Sequence, residues 1–133
     1  MKISIEEAYL NELNNKNDWN NICIKYELSE PFIEEFQDKI SWNLVSKYQK
    51  LSEPFIEKYS NKVNWDYISV YQKLSESFIE KHKYRLDWYL INQSQMLSEK
   101  FKEKHRNRIN KAIENKYRDV SNFKTCFKNY LQE

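Results

Sequence analysis

Apolar and polar residues along this chain follow two interlocked periods. Locally, apolar positions share one helical face: Phe55, Ile56, Tyr59 and Val63 stand at offsets 0, 1, 4 and 8. Over a longer range the pattern returns every 23 residues, marked by Trp19, Trp42, Trp65 and Trp88. Nine residues after each tryptophan comes a leucine (Leu28, Leu51, Leu74, Leu97), then Ser-Glu, then Phe32, Phe55, Phe78 or Phe101. Ungapped self-similarity at such a period is the signature of stacked repeats.

Each copy predicts two short helices. The first opens at its tryptophan, and Asp18, Ser41, Asn64 or Asp87 stands before it as N-cap. Ile40, Val63 and Leu86 precede the caps and pair with Val45, Ile68 and Ile91 in the spacing of a hydrophobic staple. The second helix repeats the device. Ser29, Ser52, Ser75 and Ser98 are its caps, and Leu28, Leu51 and Leu74 face Ile33, Ile56 and Ile79. Glu30, Glu53, Glu76 and Glu99 fall in its first turn, where the helix dipole favours an anion. Pro31 and Pro54 occupy the same turn, where a missing N–H costs little. Helices of roughly 8–12 residues, with turns of one to three, are expected. Helices that short are marginal alone, so each unit must lean on its neighbours.

The expected fold is therefore all-α: a short α-solenoid of stacked helical hairpins, with four 23-residue repeats over residues 19–110 and capping helices, in one domain spanning 1–133. A capping helix is expected over 4–17, with Ile5, Tyr9, Leu10 and Leu13 inward. Towards the other end the pattern decays, with Lys102 in place of isoleucine and Lys111 in place of a fifth tryptophan. One longer helix is expected from about 99 to 118. Within the closing segment 111–133, Ser121 should then cap a final helix that turns Phe123, Phe127, Tyr130 and Leu131 inward.

Composition narrows the chemistry. Glycine is absent and proline occurs twice, which excludes Gly-rich phosphate loops and nucleophile elbows. No apolar run is long enough for a membrane span. The opening Met-Lys-Ile-Ser-Ile-Glu-Glu carries two acids where a secretory signal needs apolar residues, so a cytoplasmic location is expected. Cys23 and Cys126 lack metal-ligand spacing and are expected as free buried thiols. Charge is uneven. Residues 1–66 carry 8 Lys/Arg against 12 Asp/Glu, and residues 67–133 carry 14 against 8.

Several residue sets invite a functional reading. The tryptophans, at the first position of each first helix, are expected as packing anchors. Tyr48-Gln49 and Tyr71-Gln72 end the first helices. They are either interhelix packing with a C-terminal cap or an evenly spaced contact ladder suited to a protein interface. Lys100, Lys102, Lys104, Arg106, Arg108 and Lys111 surround one helix whose apolar face is Phe101, His105 and Ile109. This segment is either a solvated face or a surface for phosphates or an acidic protein. His82 and His105 replace Phe36 and Tyr59 at a packed position, and Glu34, Glu57, Glu80 and Glu103 form a carboxylate ladder expected to be solvated. No metal site, cofactor or catalytic constellation is expected.

The string W-x-x-[IV]-S-x-Y-Q-K-L-S-E-x-F-I-E, as in Trp65 to Glu80, resembles short tandem repeats in uncharacterised proteins of large DNA viruses, phages and mobile elements of low-GC bacteria. The resemblance covers about residues 19–110. It implies a stacked-helix fold and a viral or mobile-element origin. Small phage proteins of this size often inhibit host defence, anti-CRISPR proteins among them. The first copy departs from the motif at Cys23-Ile24-Lys25-Tyr26 and the fourth at Asn92-Gln93-Ser94-Gln95, so a contact using Ser-x-Tyr-Gln is expected in the two central copies only. The resulting expectation is a non-enzymatic binding protein that occludes a host protein or nucleoprotein stoichiometrically. The alternative is direct nucleic-acid binding by the basic C-terminal half.

Overall fold

The computed structural model describes residues 18–118, and its regular elements are all helices. In chain order they are α1 (Trp19–Lys25), α2 (Glu30–Glu35), α3 (Trp42–Tyr48), α4 (Glu53–Lys58), α5 (Trp65–Tyr71), α6 (Glu76–Lys81), α7 (Trp88–Ser94) and α8 (Glu99–Lys104). A ninth helix, α9, covers 106–118. The expected capping helix at 4–17, the helix after Ser121, and Cys126 lie outside the described residues.

The caps are those the pattern requires. Asp18, Ser41, Asn64 and Asp87 each accept the backbone N–H three residues on. Ser29, Ser52, Ser75 and Ser98 do the same for the second helices. The helices are shorter than expected, at 7 and 6 residues. The first ends because the next residue turns extended, as at Gln49 with φ −100° and ψ 147°. The second ends because its C-cap leaves helical geometry, as at Phe36 with φ −106° and ψ 26°. The Lys39 N–H then donates to the Phe36 carbonyl at 2.9 Å and the Ile40 N–H at 3.1 Å, so a tight turn carries the apolar stripe onward. The same break at His105 divides the single helix expected over 99–118 into α8 and α9.

The first helices stack on one another in chain order: α1 on α3, α3 on α5 and α5 on α7. The second helices form a parallel row. Between the rows runs one core, in which Cys23, Ile33, Val45, Ile56, Ile68, Ile79 and Ile91 are fully buried. The staple pairs expected between Leu28 and Ile33, Ile40 and Val45, and their repeats all fall within this core. Each tryptophan meets a Phe and a second ring from its own copy. Trp42 lies 6.2 Å from Phe55 and 5.1 Å from Tyr59, and Trp88 lies 6.2 Å from Phe101 and 4.7 Å from His105. The indole N–H of Trp42, Trp65 and Trp88 donates to the carbonyl five residues earlier, in the preceding turn. The tryptophans are thus packing anchors, and those of the last three copies have satisfied polar edges.

Candidate functional site

The first helices do not close on the left-handed residue that ends so many helices; their C-caps are extended. Their last carbonyls still need donors. Glutamines from the following repeat supply them. The Gln49 Nε2 donates to the Cys23 and Tyr26 carbonyls at 2.7 Å each, while its Oε1 accepts the Leu28 N–H at 2.8 Å. Gln72 bonds Ser46, Gln49 and Leu51 in the same way at 2.9, 2.6 and 3.0 Å. Gln95 repeats it on Ser69, Gln72 and Leu74 at 2.9, 2.7 and 3.1 Å.

Gln49 and Gln72 are therefore not rungs of a surface ladder. They are 2% and 4% exposed and are spent on joining repeats. Nor is the arrangement confined to the two central copies, since Gln95 shares it despite its altered neighbours. In the first copy Tyr26, itself buried, holds the equivalent position.

The second-helix row is joined by carboxylates, which corrects the expectation of a solvated ladder. Glu30 accepts the N–H and hydroxyl of Ser52 at 2.9 and 2.8 Å, and Glu53 accepts the Ser75 hydroxyl at 2.6 Å. Glu76 accepts the Ser98 N–H at 2.6 Å. One turn on, Glu34 bonds Lys58 and Tyr59 of the next copy. Glu57 meets Lys81 at 3.0 Å and His82 at 3.1 Å, and Glu80 meets Lys104 at 3.4 Å and also His105. Glu103 turns instead to Arg106.

These contacts hold four carboxyls below their ordinary range. The Lys58 bond, followed by Tyr59, does so for Glu34, and Lys81, followed by His82, does so for Glu57. The Ser98 backbone N–H does so for Glu76. At Glu80 burial is the largest single influence and pushes upward, but the bonds from His105 and Lys104 together outweigh it. His82 and His105 lie tilted against a tryptophan ring and meet the carboxylate in place of tyrosine.

Tyr48 and Tyr71 stand on the outside of the first-helix row, 37% and 50% exposed. Sequence reasoning missed what gathers them. The Lys47 ammonium lies 5.2 Å from the Tyr48 ring, 5.8 Å from Tyr67 and 5.5 Å from Tyr71. Tyr67 meets Tyr71 edge-on at 5.9 Å. The cluster bridges α3 and α5. The available signal was the i, i+4 spacing of Tyr67 and Tyr71, which puts both rings on one helix face.

The six basic residues singled out between 100 and 111 are engaged in different ways. Lys102 pairs with Glu99 at 3.7 Å, Lys104 with Glu80, and Arg106 with Glu103. Lys100 is exposed on α8. Arg108 lies over the Tyr84 ring at 4.9 Å. Arg108 and Lys111 also line an open depression of about 630 Å³ between the start of α7 and α9, together with Lys116, Asp87 and Asn115. Among the described residues, no cluster of His, Cys, Asp and Glu is arranged to hold a metal ion. Cys23 is a free, buried thiol, and burial pushes its pKa up. No helix among the described residues is long and apolar enough to cross a membrane.

The chain matches no protein-family model, no curated protein and no solved structure.

Proposed function

We propose that this protein is a non-enzymatic binding scaffold that acts by covering a partner protein or nucleoprotein, with the outer face of its first helices as the contact surface. One observation carries the reading. The glutamines and most of the carboxylates that recur with the repeat are occupied in holding neighbours together, whereas the tyrosines recurring beside those glutamines stand exposed. Tyrosine offers a large, stiff, amphipathic contact at low entropic cost, which is why interfaces favour it. A chain fixed to its neighbour at every repeat presents such residues at set spacing. Binding then involves little loss of backbone freedom.

The resemblance to repeats of viruses and mobile elements adds the class of partner, a component of a host defence system, with stoichiometric inhibition as the outcome. The test is affinity capture by the full chain from lysate of its natural host, alongside Tyr71→Ala. The expected result is a partner held at a fixed molar ratio and lost with Tyr71→Ala. A partner held equally well by Tyr71→Ala rejects this face.

A second reading, direct binding of nucleic acid, is favoured by the convergence of Arg108, Lys111 and Lys116 on one depression. It predicts affinity that falls steeply with salt, by a log–log slope of about −2 to −3 for three phosphate contacts. Capture that survives nuclease treatment and Lys111→Glu excludes it.

A further inference from the structure

Among the described residues, Lys58, Lys81, Lys83, Lys102 and Lys104 each reach a carboxylate. Lys47 reaches none of the described carboxylates. Its ammonium is held instead among three tyrosine rings, at 5.2 to 5.8 Å from their centres. Contact with aromatic faces orders a lysine without neutralising it. Charge interaction with Tyr48, and then with Tyr71, pushes its pKa up. The result is an oriented positive charge set in exposed ring surface. Lys50 and Lys73, both exposed, follow the same ends of α3 and α5 and extend the positive field there. Asp66 sits at the opposite end of α5, and the exposed Glu27 holds in the first copy the place that Lys50 and Lys73 hold in the next two.

We propose that Lys47 with Tyr48, Tyr67 and Tyr71 is the docking point for an acidic segment of a partner protein. An aspartate or glutamate carboxylate meets the Lys47 ammonium, and an adjacent apolar side chain lies on the tyrosine rings. The proposal rests on the scaffold reading and supplies the chemistry of its partner. A cationic partner is disfavoured because Lys47 already occupies the ring faces and repels a second cation. A nucleic-acid backbone, charged at every nucleotide, is the competing occupant for Lys47, Lys50 and Lys73, and the oligothymidylate arm below tests it. One ammonium flanked by apolar surface matches one carboxylate flanked by apolar side chains.

The experiment is a titration of the full-length protein, followed through the ring resonances of the three tyrosines and the side-chain resonances of Lys47. Four probes are compared: a soluble Glu-rich peptide with spaced leucines, the same peptide with Gln for Glu, the same with Lys for Glu, and oligothymidylate. The Glu peptide should shift these resonances saturably, with a dissociation constant below about 1 mM. Lys47→Gln should weaken it about tenfold, the loss of one charge-assisted bond, while Lys47→Arg retains it. A dispersed spectrum confirms that each variant is folded. The proposal is overturned by no shift up to that concentration, by equal binding of the Gln peptide, or by tighter binding of the Lys peptide or oligothymidylate at these tyrosines. Shifts centred on Arg108 and Lys111 overturn it too. Binding lost with Tyr71→Ala but indifferent to Lys47→Gln sinks the acidic partner and leaves the scaffold reading standing. A captured partner indifferent to Tyr71 rejects the first-helix face as the contact surface, and this docking point with it.

Discussion

The two rows of the stack use the same kinds of residue to opposite ends. In the second-helix row, lysine, tyrosine and histidine are turned along the stack onto a carboxylate of the preceding copy, at Glu34, Glu57 and Glu80. In the first-helix row, lysine and tyrosine are turned onto each other, and their outer surface is left to solvent. The difference lies in what the neighbouring copy offers. Where a glutamate stands one repeat back, the cation has a partner and serves cohesion. On α3 and α5 the polar side chains that serve cohesion are the buried glutamines, together with Ser46, whose hydroxyl accepts the Asn64 N–H. The tyrosines beside the glutamines keep an exposed outer surface.

If that division is right, the largest effect should come from the inward side. Gln72→Leu strips donors from two buried carbonyls and an acceptor from a buried N–H. It should destabilise the fold by about 3 kcal/mol or more, measured by urea unfolding. A loss within experimental error would mean that the glutamine line is incidental.

Acid should loosen the second-helix row next. Glu34, Glu57, Glu76 and Glu80 have folded pKa values below the unfolded value of about 4.3. Their contribution is complete above the unfolded pKa and is lost as pH falls through the lower folded values. Stability should therefore decline from about pH 5 downward. The Glu57→Gln, Glu80→Gln double variant should show a shallower decline between pH 5 and 3, monitored by thermal unfolding. An unchanged slope would detach the carboxylates from cohesion.

A single cap matters less. Ser75→Ala removes the acceptor for the Phe78 N–H and the hydroxyl bonded to Glu53, and should cost about 1 kcal/mol. Tyr71→Ala should have the smallest effect on stability, within about 0.5 kcal/mol, because its ring is half exposed. A loss as large as that of Gln72→Leu would put the tyrosine in the structural class and erase the contrast.

The contrast was only partly legible in the sequence. Caps and staples were readable because their partners lie three to five residues away, inside one helix start. The tryptophan period was readable because identity at fixed spacing needs no geometry. The glutamine line was not, because its partners are backbone groups 21 to 26 residues earlier, which carry no side-chain signal. A clue was present all the same. Trp42, Val45 and Gln49 stand at offsets 0, 3 and 7, so the glutamine shares the apolar face, and a polar residue recurring there has to be satisfied inside. The Glu34, Glu57 and Glu80 contacts were missed for a related reason. Against its own helix each carboxylate looks solvated, and its partners stand on the copy beyond. The exposure of Tyr48 and Tyr71 is one of two readings that the sequence leaves open, and Lys47 and Tyr67 are not legible there, because they meet Tyr48 and Tyr71 only when α3 lies beside α5.

Each glutamine reaches backward. The older repeat offers only main-chain groups, and the younger one brings the side chain that seals them. A chain emerging from the ribosome should therefore become secure in quanta of one repeat, each locked when the next glutamine clears the exit tunnel, so that the growing tip stays provisional throughout synthesis. Stalled chains of increasing length, challenged with protease, should gain protection in steps that follow Gln49, Gln72 and Gln95, and a smooth gain would show that assembly has no such ratchet.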